Sequence, residues 1–158
     1  MSAPTAPSAP DTATWTVVEN SWDPQRANYF ETILTVGNGR LGTRGSLEER
    51  HTGALPGTFL AGVYDDYDSP VTDLVNAPDW LDTEVYVNGT RLDPESAPIT
   101  AHRRELDLRT GVLTRDTTFL VDGSPVLLHT ERFASMADRN LCGLRIPVTP
   151  PERAAGGF

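Results

Sequence analysis

The sequence predicts an antiparallel all-β fold, a sandwich or a barrel. Three observations predict it. The dipeptides Asn88-Gly89 and Asp122-Gly123 each stand between runs of extended character. Such pairs supply the positive-φ residues that tight hairpin turns demand. Residues 105–108 and 111–121 alternate with a period of two, which sorts side chains onto the two faces of a sheet. No segment keeps a 3.6-residue apolar period over the length of an ordinary helix.

The elements follow in order. Residues 1–14, MSAPTAPSAPDTAT, contain nothing that buries apolar surface and read as a disordered tail. They have neither the basic start nor the apolar stretch of a secretory signal. WTVVE (15–19) is a weakly alternating first strand. TILTV (32–36) is rich in β-branched residues and reads as a second. GTFLAGVY (57–64) carries Phe59, Leu60, Val63 and Tyr64 between glycines. EVYV-NG-TRL is a hairpin. ELDL (105–108) alternates. In GVLTRDTTFLV (111–121), Leu113, Thr117, Phe119 and Val121 share one parity, with Arg115 the exception among them. Asp122-Gly123 turns the chain, and VLLHTERF returns to Phe133. LCGLRIPVT is a last strand. Pro147 cannot donate to a ladder, so this strand lies at an edge or ends there. SLEER (46–50) is too short for a helix before Gly53. SMADRN (135–140) has room for one or two helical turns with Ser135 as N-cap.

Charge narrows the function. The net charge is −9 and all thirteen basic residues are arginine. That surface repels phosphate backbones, so nucleic acid is not the expected partner. No apolar run reaches membrane-spanning length. Cys142 is the only cysteine, which excludes an internal disulfide. A soluble cytoplasmic protein is the expectation.

The segment GNGRLGTRG (37–45) matches G-x-G-x-x-G through Gly37, Gly39 and Gly42. A dinucleotide site needs a helix opening at the third glycine. Here Thr43-Arg44-Gly45-Ser46 follow, and Pro56 leaves no room for a crossover helix. The glycines instead allow tight turns and close approach of another segment. Asn38 suits a left-handed position. Arg44 is placed to meet a carboxylate in a fork, either within the fold or on a ligand.

Five blocks then carry a resemblance. They are ETILTVGNGRLGTRGS (31–46), GTFLAGVYD (57–65), LVNAPDW (74–80), RRELDLRTGVLTRDTTF (103–119) and ERFASMADRNLCGLR (131–145). In this order and spacing they resemble the N-terminal domain of glycoside hydrolase family 65. That family includes maltose, trehalose, kojibiose and nigerose phosphorylases and acid trehalases. The resemblance covers roughly Trp15 to Thr149 and implies a supersandwich-type β-domain ahead of an (α/α)6 barrel. In the family the barrel holds the chemistry. A glutamate there protonates the glycosidic oxygen while phosphate or water attacks the anomeric carbon from the opposite face.

The expected organisation is a tail over 1–14, a partial β-sandwich over 15–149 and an unstructured end over 150–158. The expected role is a non-catalytic domain that packs on the barrel and shapes it. The implied partners in a full-length enzyme are an α-linked, maltose- or trehalose-like disaccharide and phosphate. Open strand edges leave room for a homodimer. No cofactor, catalytic residue or metal ligand is expected in this chain. A free-standing carbohydrate-binding module and the non-functional product of a truncated gene are the alternatives.

Other constellations have plain readings. Asp65, Asp66 and Asp68 lack the register of a calcium loop. His51, His102 and His129 are far apart, and Glu105 and Asp107 share the polar face of a strand. Trp22, Tyr64 and Trp80 are either a sugar-stacking platform or buried packing. The candidates for lining a substrate site are Asn38, Arg44, Asn76 and Trp80.

Overall fold

The computed structural model describes residues 15–67 and 70–147. The expected tail, Asp68, the end of the LCGLRIPVT strand and residues 150–158 lie outside them. Eleven strands and one α-helix are described, in the order β1 (Thr16–Glu19), α1 (Ala27–Ile33), β2 (Val36–Gly37), β3 (Leu41–Thr43), β4 (Thr58–Asp65), β5 (Asp73–Asn76), β6 (Tyr86–Val87), β7 (Thr90–Arg91), β8 (Ile99–Asp107), β9 (Val112–Val121), β10 (Ser124–Ala134) and β11 (Cys142–Arg145). Every pairing is antiparallel. A five-stranded sheet runs β1-β8-β9-β10-β11 and a four-stranded sheet runs β2-β3-β4-β5, with β6-β7 a separate hairpin.

Both dipeptide turns form as the residues demand. Asn88 and Gly89 have φ of 51° and 80°, and Asp122 and Gly123 have 50° and 76°. The second turn sets the longest ladder among the described residues, with Ser124 opposite Val121 and Arg132 opposite Leu113. β11 is an edge strand and stops two residues before Pro147, as a residue without an amide proton requires.

Three local expectations are corrected. Residues 32–33 are the end of helix α1, not the start of a strand. Ala27, Phe30, Glu31 and Leu34 recur at helical spacing and are all buried. The β-branched Ile33 and Thr35 disguise that stripe, and Glu31 interrupts its apolar character. Thr32 Oγ1 donates to the Asn28 carbonyl at 2.9 Å, so its hydroxyl is satisfied within the helix. Residues 135–140 form a turn, not a helix. Ser135 Oγ accepts from the Asp138 amide at 3.1 Å as a cap does, but the Ser135 amide reaches forward to the Leu141 carbonyl and closes the loop. The left-handed residue of the glycine loop is Gly39, with φ of 81°, and not Asn38.

The inner face of the five-stranded sheet is covered in two apolar zones. Leu92, Ala97, Phe119, Val121, Val126 and Leu128 form one. Phe30, Leu34 and Val36 pack on Leu106 and Leu113 to form the other. Gly45 joins this zone by close approach. Its amide donates to the Glu31 carbonyl at 2.6 Å, and a Cβ there would lie 2.7 Å from Leu34 Cβ.

Candidate functional site

The four expected site residues do not gather in one place. Asn38 is buried between β2 and β3. Its Nδ2 donates to the carbonyls of Ser135 and Arg139 at 2.7 and 3.2 Å. Its Oδ1 accepts from the amides of Arg40 and Leu41 at 3.1 and 3.0 Å. The whole amide is engaged in holding two loops together. Arg44, Asn76 and Trp80 sit nearer one another, around the start of β4. Asn76 accepts from the Thr58 amide at 2.9 Å and donates to the Pro56 carbonyl at 3.2 Å. Trp80 Nε1 donates to Thr43 Oγ1 at 3.1 Å, and Thr43 Oγ1 lies 3.2 Å from Thr58 Oγ1.

Arg44 meets Glu31 through a single Nη2–Oε2 contact of 3.5 Å rather than a fork. The same Nη2 reaches the Asn28 carbonyl at 3.4 Å. Trp22, Tyr64 and Trp80 have separate surroundings. Trp22 stands edge-on to His51 and His102 with ring centroids 5.0 and 5.8 Å away, while Tyr64 is exposed on β4.

The largest concentration of chemistry lies elsewhere. Between the two apolar zones, the inner sheet face carries Arg104 on β8, Arg115 on β9 and Arg132 on β10, each 1% exposed. Arg104 and Arg115 are directly opposite in the ladder, as are Arg115 and Thr130. Arg115 grips Glu49 with two bonds of 2.6 Å, Nη1 to Oε2 and Nη2 to Oε1. Its Nη1 also reaches Glu48 Oε2 at 2.9 Å. Thr130 donates to Glu48 Oε1 at 3.0 Å, and Arg132 Nη1 stands 3.6 Å from the same oxygen. Arg104 Nε donates to Glu19 Oε2 at 2.5 Å, and its Nη1 donates to the Gly45 carbonyl. Three carboxylates therefore face three guanidiniums, and the set is electrically balanced.

His102 completes a directed chain. Arg115 Nε donates to Thr117 Oγ1 at 2.8 Å. The Thr117 hydroxyl is then free to donate to His102 Nδ1, also at 2.8 Å. His102 Nε2 donates to Glu19 Oε2 at 3.2 Å. Each donor finds an acceptor only if His102 is neutral with its proton on Nε2. The electrostatics agree. Burial holds His102 below its ordinary value, against the pull of Glu19. Burial raises Glu19 and Glu48, but the hydrogen bond from His102 to Glu19 and the charges of Arg132 and Arg115 beside Glu48 win, so both lie below the usual carboxylate range. Arg115 is penalised by burial yet pushed up by Glu49 and Glu48.

This arrangement resembles a hydroxyl–imidazole–carboxylate relay, but Thr117 is fully buried and its oxygen already accepts from Arg115. No substrate carbon can reach it. Glu19 and Glu48 lie below the usual carboxylate range and out of solvent, so neither is suited to act as a general acid, and Glu49 is held in the Arg115 fork away from any substrate. The network binds the sheet to the segment 45–49 and to the end of β1. Sequence reasoning missed Glu19, Glu31, Glu48, Glu49, His102, Arg104 and Arg132. The available signal was Arg115, a charge at an inward position of an alternating strand.

A model described as "Glycosyl hydrolase family 65, N-terminal domain" matches residues 17–156. Kojibiose phosphorylase of Thermoanaerobacter brockii is 32% identical over 138 residues, which is 86% of this chain and 18% of that protein. Maltose phosphorylase of Bacillus subtilis is 27% identical, over 82% of this chain and 19% of that protein. A solved structure described as "Putative kojibiose phosphorylase from human microbiome" superimposes with a TM-score of 0.77 at 25% identity, covering 86% of this chain and 20% of that one. The chain thus spans about a fifth of the length of each of these three relatives.

Proposed function

The chain belongs to glycosyl hydrolase family 65, as its N-terminal domain, and on that premise we propose that its work is architectural. It packs on the catalytic part of a disaccharide phosphorylase and does no chemistry of its own. The substrates of that larger enzyme are an α-linked glucosyl disaccharide, as the names of the kojibiose and maltose phosphorylases suggest, and phosphate. We place the protein in the cytoplasm. Among the described residues no helix is long and apolar enough to cross a membrane.

The observation that carries this reading is the ion network. Its three glutamates, Glu19, Glu48 and Glu49, are committed to arginines inside the fold. Exposed apolar side chains support it too. Val63, Tyr64 and Leu74 stand out from the β4–β5 hairpin, and Leu120, Leu127 and Phe133 from the outer face of β9 and β10. Grouped apolar exposure of this kind marks a surface that meets more protein.

The test is a chimera. Residues 17–147 of this chain replace the matching segment of the Thermoanaerobacter brockii kojibiose phosphorylase. The expected result is a soluble enzyme that still phosphorolyses kojibiose. A folded, inactive chimera that regains activity when a single polar side chain of the replaced segment is restored overturns the architectural reading, because that side chain then supplies chemistry.

A further inference from the structure

A cavity of about 240 Å³ opens beside the ion network, where β1 leaves β8. The β1–β8 ladder ends at Glu19 opposite Arg104, while β8 stays paired with β9 back to Ile99. Residues 20–22 swing away from β8 instead of continuing the ladder. The space between is lined by Asn20, Ser21 and Trp22 on one side and by Ile99, Thr100, Ala101 and His102 on the other.

The lining has a definite chemistry. None of these seven side chains is an acid, lysine or arginine, and His102 is neutral with both ring nitrogens engaged by Glu19 and Thr117. Trp22 supplies an aromatic wall, and Ile99 and Ala101 supply apolar surface. The amide of Asn20 and the hydroxyl of Ser21 make no hydrogen bond among the described residues. Thr100 Oγ1 donates to the Thr118 carbonyl at 3.2 Å, which leaves its oxygen free to accept. An uncharged lining leaves an ionic ligand without a counter-charge, and the −9 net charge of the chain repels anions further. The volume is below the ~300–1,000 Å³ of sites for drug-sized ligands, so it suits one ring and not two.

We propose that this cavity is a binding site for a single neutral sugar ring, with Trp22 against its C–H face and Asn20, Ser21 and Thr100 on its hydroxyls. Aromatic faces and uncharged hydrogen-bonding groups on one wall are what a polyhydroxylated, partly apolar ring requires. The site stands on this chain's own residues and does not depend on its role in a longer enzyme. Few polar contacts and a small contact area imply a Kd on the order of 1–10 mM.

The test is a 15N–1H titration of the full chain with methyl α-D-glucopyranoside to about 50 mM, a range that saturates such a site. The expected result is saturable shifts of the Trp22 indole N–H and of the amides of residues 20–22 and 99–102. Asn20→Ala/Ser21→Ala touches two exposed residues, leaves the fold intact and is expected to raise Kd at least threefold. Trp22→Ala is expected to abolish the shifts while Trp22→Phe preserves them. Glucose 6-phosphate at equal concentration is expected to shift these signals less, because of its charge. Linear shifts, shifts scattered over the surface, or an unchanged Kd in the Asn20/Ser21 variant overturn the proposal.

Discussion

Replacing Arg115 by methionine probes the network at its most connected point. The side chains are similar in length, so little volume is lost. Four hydrogen bonds vanish: two to Glu49, one to Glu48 and one to Thr117. Glu49 is 2% exposed and keeps no other charged partner among the described residues. Leaving such a charge buried and unpaired costs about 3–5 kcal/mol. At roughly 2–4 °C per kcal/mol for a chain of this size, Tm falls by about 6–20 °C. The double variant Arg115→Met/Glu49→Leu removes the orphan charge and leaves Glu48 with Arg132. It is expected to regain at least ~2 kcal/mol over the single variant, since apolar replacement of a whole buried pair is often close to neutral. Urea unfolding with linear extrapolation reads both numbers. Arg115→Lys keeps the charge without the fork and gives an intermediate, measurable value if the methionine variant does not fold. A loss below ~1 kcal/mol in Arg115→Met, or a double variant no better than the single, refutes the reasoning.

Acid should loosen the fold from higher pH than carboxylates alone would. The folded-state pKa of His102 lies below its ordinary 6.5, so the unfolded chain takes up that proton first. The stability it contributes is complete above about pH 6.5 and is lost as pH falls below it. Glu19 and Glu48 add a second loss below their ordinary 4.5. Urea midpoints at pH 7.5, 6 and 5 should fall in the wild type, with a smaller slope in His102→Gln. Equal slopes in the two proteins contradict the assignment. Gly45→Ala places a methyl 2.7 Å from Leu34 Cβ and 2.9 Å from its backbone; it should cost about 1–3 kcal/mol or prevent folding. Gly123→Ala meets no atom within 4 Å, but φ is 76°. Thermal unfolding should show a loss of about 1–2 kcal/mol from conformation alone, and Gly123→Asn should lose less.

The legible part of the fold was the local part. Asn88-Gly89 and Asp122-Gly123 fix their turns by backbone chemistry carried within two residues. The alternation around Phe119 survives because one sheet face is buried. Helix α1 was hidden because Glu31, at a buried position of its stripe, is matched by Arg44 and by the Leu55 amide, neither of which is nearby in sequence. The network was hidden for the same reason. Glu48 and Glu49 look like a solvated acidic pair until Arg115 arrives from 66 and 67 residues away. Among the site candidates, the internal ion pair of Arg44 was one of the two readings open in the sequence. The engagement of Asn38 with Ser135 and Arg139 depends on a loop almost 100 residues on and leaves no local trace.

The central claim is that this domain supports chemistry carried out elsewhere. Its most direct test is incubation of the purified chain with kojibiose, maltose, nigerose or trehalose and phosphate, reading glucose 1-phosphate released over hours. No glucose 1-phosphate above the protein-free control is expected. Product formation that disappears on substituting a residue of this chain, Glu48→Gln or Glu49→Gln for example, in a variant shown to be folded, would contradict the claim.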